Sequence, residues 1–261
     1  MSDLLPAFDD IKALFDLSGR TALVTGGGSG LGQAVARGLA SFGADIAVAD
    51  INPASAAASA KEIGAAGRRT TALTIDVADE ASVASAVAKA AADLGRIDIL
   101  VNAAGGNCRK PVVEMAAAEF DTQIAVHLRG TFLCSKAVAP AMMAAGWGSI
   151  INFASIMGVV SMPNISAYAA AKGGIIQLTK SMAVEFAGAG VRVNAIAPGF
   201  YDTPLTRQHD PSTRKAFAEK VPMKRFGAVP EIIGPALLLA SQAGSYMTGT
   251  VLFADGGWTA V

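Results

Sequence analysis

Seven short apolar runs, near residues 21–25, 45–49, 70–75, 97–102, 148–154, 192–197 and 250–254, alternate with longer segments whose apolar residues recur at helical spacing. This alternation limits the possible folds more than any other feature of the chain. A strand that faces water on one side alternates apolar and polar residues, whereas runs such as Thr21-Ala-Leu-Val and Ile46-Ala-Val-Ala are apolar almost throughout. Such strands are covered on both faces, and helices placed between consecutive strands make the sheet parallel. The pattern predicts an α/β fold, a doubly wound, parallel, seven-stranded sheet with helices on both faces. Alanine-rich stretches such as 81–94 are strong helix formers and do not read as linkers. No boundary rich in Pro, Gly or Ser divides the 261 residues, so 17–261 are expected to form one domain with an ample core. Residues 1–16 are expected to be an extension with a short helix around Asp10 to Phe15.

Charge excludes several classes of function. The 21 Lys and Arg balance 21 Asp and Glu, leaving no basic surface for nucleic acid or an anionic membrane. No apolar run reaches the ~18 residues of a membrane span. The start Met1-Ser-Asp-Leu-Leu lacks the cationic region of a secretory signal, so the expected location is the cytoplasm. Cys108 and Cys134 are too few for a disulfide framework and have no metal-ligand spacing. No metal is expected.

A small-molecule site is written into the first strand-to-helix junction. Thr25-Gly-Gly-Gly-Ser-Gly-Leu-Gly32 follows the first apolar run and precedes the helical pattern of 31–42. Glycines let the backbone turn sharply and let a pyrophosphate reach amides at a helix N-terminus, where the dipole favours negative charge. The glycine spacing differs from the usual G-x-G-x-x-G, yet the strand, turn and helix context is that of a Rossmann-type dinucleotide site. A second apolar run ends in Asp50, eighteen residues after Gly32. A carboxylate there can accept from ribose hydroxyls and would repel a 2′-phosphate, which points to NAD over NADP. Gly27, Gly28, Ser29 and Ile51 offer no cation for that phosphate.

A second constellation carries proton chemistry. Tyr168 and Lys172 stand one helical turn apart, and Ser155 lies thirteen residues before Tyr168 at the end of an apolar run. At that spacing phenol and ammonium leave the same helix face, so the ammonium can lower a phenol pKa that is about 10 in water. A phenol tuned in this way serves as acid or base.

With these motifs in order, the chain resembles the classical short-chain dehydrogenase/reductase family from about Leu17 to the C-terminus. Asp76 in Thr74-Ile-Asp-Val, Asn102-Ala-Ala-Gly105, Pro198-Gly-Phe-Tyr-Asp-Thr203 and the closing segment from Tyr246 to Gly257 are similar to further family motifs. The resemblance implies cofactor contacts from Gly26, Ser29, Gly30, Leu31 and Gly32, from Asp50 and Ile51, and from Asp76 and Val77. It adds Asn102, Ala103, Ala104 and Gly105, the catalytic Tyr168 and Lys172, and Pro198, Gly199, Tyr201 and Thr203. It also implies a homotetramer, with helices at about 122–145 and 167–187 packed across a two-fold axis. In appearance the chain is most like the branch of gluconate, deoxygluconate and related sugar dehydrogenases, clearest around Arg109 and Lys110 and at Ala254-Asp-Gly-Gly-Trp258.

The implied activity is NAD-dependent hydride transfer between nicotinamide and a secondary alcohol or ketone on a sugar, sugar acid or other anionic sugar. A 3-oxoacyl-thioester reductase, a steroid or cyclic-alcohol dehydrogenase and a non-catalytic NAD-binding scaffold are the alternatives. One position departs from the family. His127 stands where its catalytic tetrad has an asparagine, whose main-chain carbonyl holds a relay water. Because every residue has that carbonyl, His127 is expected to keep a structural or relay role. The stretch 201–227, polar and broken by Pro204, Pro211 and Pro222, escapes the alternation and is expected to be a substrate lid. Arg109, with Arg207 or His209 from that lid, is the expected contact for an anionic substrate group.

Overall fold

The computed structural model describes residues 11–208 and 210–261. Its strands are β1 (Thr21–Thr25), β2 (Asp45–Asp50), β3 (Thr70–Thr74), β4 (Ile99–Asn102), β5 (Gly148–Phe153), β6 (Val191–Pro198) and β7 (Val251–Ala254). They form one parallel sheet in the order β3-β2-β1-β4-β5-β6-β7. The order reverses between β1 and β4, and in sheets of this kind ligands bind beyond the strand ends at such a reversal. The expected strand positions agree with these within two residues.

The eight α-helices among the described residues are α1 (Gly30–Ser41), α2 (Pro53–Ala65), α3 (Glu80–Leu94), α4 (Ala117–Ile124), α5 (Gly130–Ala144), α6 (Ser166–Phe186), α7 (Pro211–Lys220) and α8 (Ile233–Ala240). The two-residue period of a strand divides them between the faces. Ala22, Val24, Ile46, Val48, Ile99 and Val101 pack with α1, α2 and α8. Leu23, Ala47, Leu100 and Ile150 point the other way, towards α3, α5 and α6. Large residues such as Ile46, Leu100 and Ile150 are wholly buried, each contributing about 1.5–3 kcal/mol of hydrophobic stabilisation.

One segment differs from expectation. Within 201–227 the chain forms α7, because Pro211 pre-sets the first helical turn and the Asp210 carboxylate accepts from the Thr213 amide as its cap. The segment is closed by a bridge between Tyr201 and Gly227. At the other end, Asp10 lies outside the described residues and Ile11–Phe15 forms a short 3-10 helix. Between α4 and α5 the residues Ala125–Arg129 form a π-helical turn, a distortion often found at functional sites.

Candidate active site

A cavity of about 500 Å³ opens at the carboxyl ends of the strands. Its two ends are built differently. At one end lie Gly26, Ser29, Gly30, Leu31 and Gly32 of the glycine turn, with Asp50, Ile51, Asp76 and Val77. Gly26 has φ +67° and Gly30 φ +56°, conformations that favour glycine. A Cβ on Gly26 would sit 2.8 Å from the Ala103 carbonyl, and one on Gly32 would collide with the Gly26 carbonyl. The turn therefore packs tightly on itself and on the residue after β4. Asn52 caps α2 and Asp79 caps α3 through side-chain oxygens, whereas Ser29 makes no side-chain cap to α1. The first amides of α1 thus face the cavity without a side-chain acceptor, which fits a pyrophosphate as their partner. Asp50 accepts from the amides of Gly28 (3.0 Å) and Asn52 (3.0 Å), tying the turn to the end of β2.

At the other end β5 delivers Ser155 and α6 delivers Tyr168 and Lys172, all lining the same cavity. Ser155 Oγ accepts from the Met157 amide at 3.1 Å. The Lys172 ammonium is buried and donates to the Phe153 carbonyl at 2.6 Å, and it lies 5.5 Å from the centre of the Tyr168 ring. Burial with only a neutral carbonyl as partner pushes the Lys172 amine down to about 7. The expected lowering of the Tyr168 pKa by this lysine does not dominate here. Burial raises the phenol, with a hydrogen bond from Ser155 pulling the other way, because the ammonium is directed to Phe153 and not to the phenol oxygen.

His127 occupies the π-turn with its ring edge-on to Tyr168, centroids 5.2 Å apart. Its Nε2 contacts the Gly106 carbonyl at 2.7 Å, so Nε2 carries the proton, and among the described residues the buried Nδ1 has no partner. Burial and the nearby Lys172 push the imidazole down to about 3. The ring fills the space where a Gly105 side chain would be, so glycine is needed there. The His127 carbonyl accepts from Thr131 Oγ1 at 2.7 Å.

Ala103, Ala104, Gly105, Pro198, Gly199, Tyr201 and Thr203 line the cavity as well, and so does Arg109. Two expected contacts fall elsewhere. Asn102 is buried behind the cavity, where its amide donates to Ser135 Oγ and Asn152 Oδ1, because this β4 side chain points into the layer beneath α5 and α6. Arg207 turns away into a two-pronged ion pair with Asp202, which also holds Arg214 of α7. His209 lies outside the described residues. The reading of the sequence missed Gly106, Asn107, Met157, Met162, Ile165 and Phe200, which also line the cavity. Four of these are apolar and carry no chemical signal; only their closeness to motif residues could have pointed to them.

With this geometry established, comparison with known proteins gives the family. The family model described as Enoyl-(Acyl carrier protein) reductase matches residues 26–259. The chain belongs to the short-chain dehydrogenase/reductase family and is an oxidoreductase of alcohols with a nicotinamide-cofactor-binding fold. It is 41% identical over 243 residues to cis-4-hydroxycyclohexanecarboxylate dehydrogenase of Sinomonas cyclohexanicum, covering 93% of this chain and 97% of that protein. It is 36% identical to gluconate 5-dehydrogenase of Gluconobacter oxydans, covering 94% and 97%. The solved structure of a gluconate 5-dehydrogenase from Burkholderia cenocepacia in complex with NADP and tartrate superposes with a TM-score of 0.93 at 38% identity, covering 97% of this chain and 100% of that one. Among the described residues no helix is long and apolar enough to cross a membrane, and no group of three or more His, Cys, Asp or Glu could hold a metal ion.

Proposed function

We propose that this chain is an NAD-dependent dehydrogenase that interconverts a secondary alcohol and its ketone on a small anionic substrate, a sugar acid or a related hydroxy acid. The observation that carries the reading is the convergence of Ser155, Tyr168 and Lys172 on the cavity that also contains the glycine turn. The uncapped first turn of α1 would hold the pyrophosphate and Asp50 the adenosine ribose, while the residues from Pro198 to Thr203 would flank the nicotinamide. Bound nicotinamide supplies the acceptor or donor of the hydride.

The chain's own residues do the rest. Ser155 holds the substrate oxygen beside Tyr168. In oxidation the phenolate of Tyr168 takes the hydroxyl proton as the carbinol C–H bond breaks and its electron pair departs with the hydrogen, leaving C=O. Lys172, in its charged form, favours the phenolate. Reduction reverses each step, with Tyr168 as the acid. Arg109 supports the anionic substrate, as do the cyclohexanecarboxylate and gluconate names of the relatives.

Asp50 supports NAD over NADP through its position beside the turn, although the Burkholderia protein holds NADP. Wild-type enzyme should favour NAD in kcat/KM by about tenfold or more, and Asp50→Ala should narrow that ratio; a wild-type preference for NADP would overturn the assignment. We place the working enzyme in the cytoplasm as a homo-oligomer, a tetramer by family resemblance, with 201–227 as its lid within a single 17–261 domain. The exposed Phe132 of α5 and Val184 of α6 support association through those helices.

A further inference from the structure

The substrate end of the cavity is poor in groups that could hydrogen-bond a polyol. Met157, Met162, Ile165, Phe200 and Leu205 line it. Phe200 is fixed by stacking on Phe217 of α7 at 4.9 Å and by an edge contact with Trp258 at 5.1 Å, so this wall is a rigid aromatic block. Asn107 brings one amide to the lining, and the other polar residues nearby are largely committed: the Thr206 hydroxyl donates to backbone carbonyls and Arg207 and Arg214 pair with Asp202. Lys110 pairs with Glu119.

Arg109 is the charged exception. Its guanidinium rests against the Met162 sulfur (3.7 Å) and beside the Phe217 ring (6.0 Å), and among the described residues it has no carboxylate partner. Of the cations lining the cavity the other is Lys172, which is buried on the Phe153 carbonyl. One cation therefore stands at the rim of an apolar wall, with Ser155 and Tyr168 as the hydroxyl-binding pair.

We propose that the substrate is a hydroxylated alicyclic or branched aliphatic carboxylate, its carboxylate on Arg109 and its reacting carbinol at Ser155 and Tyr168, with an apolar ring or chain between them. This rests on the dehydrogenase reading above. The carbinol C–H and O–H bonds break, C=O forms, the hydride and its electron pair go to oxidised nicotinamide dinucleotide, and the proton goes to Tyr168. A sugar acid would press several hydroxyls against Phe200 and Met162, and each hydroxyl buried without a partner costs about tenfold in affinity. An alicyclic ring gains from the same contact.

The test is steady-state kinetics of the full chain with NAD and three alcohols: a hydroxycyclohexanecarboxylate, cyclohexanol and gluconate. In wild-type enzyme the ring acid should exceed both others in kcat/KM by about tenfold or more. Arg109→Ala should collapse the ratio of ring acid to cyclohexanol to about threefold or less. Gluconate turned over as well as the ring acid would overturn the proposal, as would a ratio that Arg109→Ala leaves unchanged. No nicotinamide reduction with any of the three would overturn the dehydrogenase reading along with it, whereas turnover without the stated preference overturns the substrate assignment alone.

Discussion

The helices α1, α2 and α3 each begin just beyond the carboxyl end of a sheet strand, yet they begin in different ways. Asn52 and Asp79 fold back to accept amides of α2 and α3, while Ser29 leaves α1 without a side-chain cap. A cap of this kind stabilises a helix by about 1 kcal/mol. Forgoing it at α1 keeps the amides available to a ligand that must be released again. The contrast extends across the cavity. Its glycine-turn end is built on the backbone of residues 26–32 with Asp50 and Asp76 beside it, whereas its other end is made of side chains from β5, α6, the loop after β4 and the segment 201–227. The first end can bind a phosphate group common to many partners; the second sets which alcohol reacts.

The largest effect should come from separating the two ends chemically. Tyr168→Phe keeps the packing but removes the proton path, so kcat should fall by about 10²–10⁴-fold while dinucleotide binding, followed by fluorescence titration, stays intact. Because burial raises the phenol pKa, wild-type oxidation should accelerate as pH rises and the phenolate forms, a limb that the variant should lack. Near-normal turnover in the variant would break the division between binding end and reacting end.

A smaller effect is expected at the helix starts. Ser29→Asp should cap α1 and raise Tm, gaining up to about 1 kcal/mol, while its charge opposes the pyrophosphate and raises the dinucleotide KM by about tenfold. Asn52→Ala should do the reverse at α2, losing about 1 kcal/mol of stability with KM unchanged. If both variants moved KM together, the open start of α1 would have no special meaning.

The smallest change in rate should come from His127. His127→Asn removes the Nε2 bond to the Gly106 carbonyl, worth about 1 kcal/mol, so the substrate KM should rise about fivefold with kcat little altered. A large fall in kcat would show that the imidazole takes part in proton transfer. Stability gives an independent readout. The imidazole has an ordinary value of 6.5 and a folded value of about 3, so the contribution of its neutral form is complete above 6.5 and declines as pH falls from there towards 3. Between pH 7 and pH 4 the wild-type Tm should therefore fall further than that of the variant.

The sheet was legible because burial on both faces leaves a direct mark on composition, and each helix between strands keeps its own period. The segment 201–227 was less legible. Its prolines read as interruptions, but Pro211 after Asp210 begins α7, and the cap was visible in the residues all along. Asn102 and Arg207 illustrate a different limit. Each has the right chemistry close to the cavity, and each is taken up by other residues, Asn102 by Ser135 and Asn152 far along the chain and Arg207 by Asp202 only five residues away. The pairing of Tyr168 with Lys172 was visible as a spacing, while the contact of Lys172 with Phe153 was not.

The sequence by itself determined the alternation of strands and helices, the glycine turn and the one-turn spacing of Tyr168 and Lys172, because these are local properties of a few adjacent residues. Only the tertiary structure decided that Arg109 lies at an apolar wall with no acid partner among the described residues, and that His127 holds Gly106 with its ring against Tyr168. The physical reason is that the free energy of a charge or a polar atom depends on which partners and how much water surround it, and those are set by segments that meet only when the sheet is assembled.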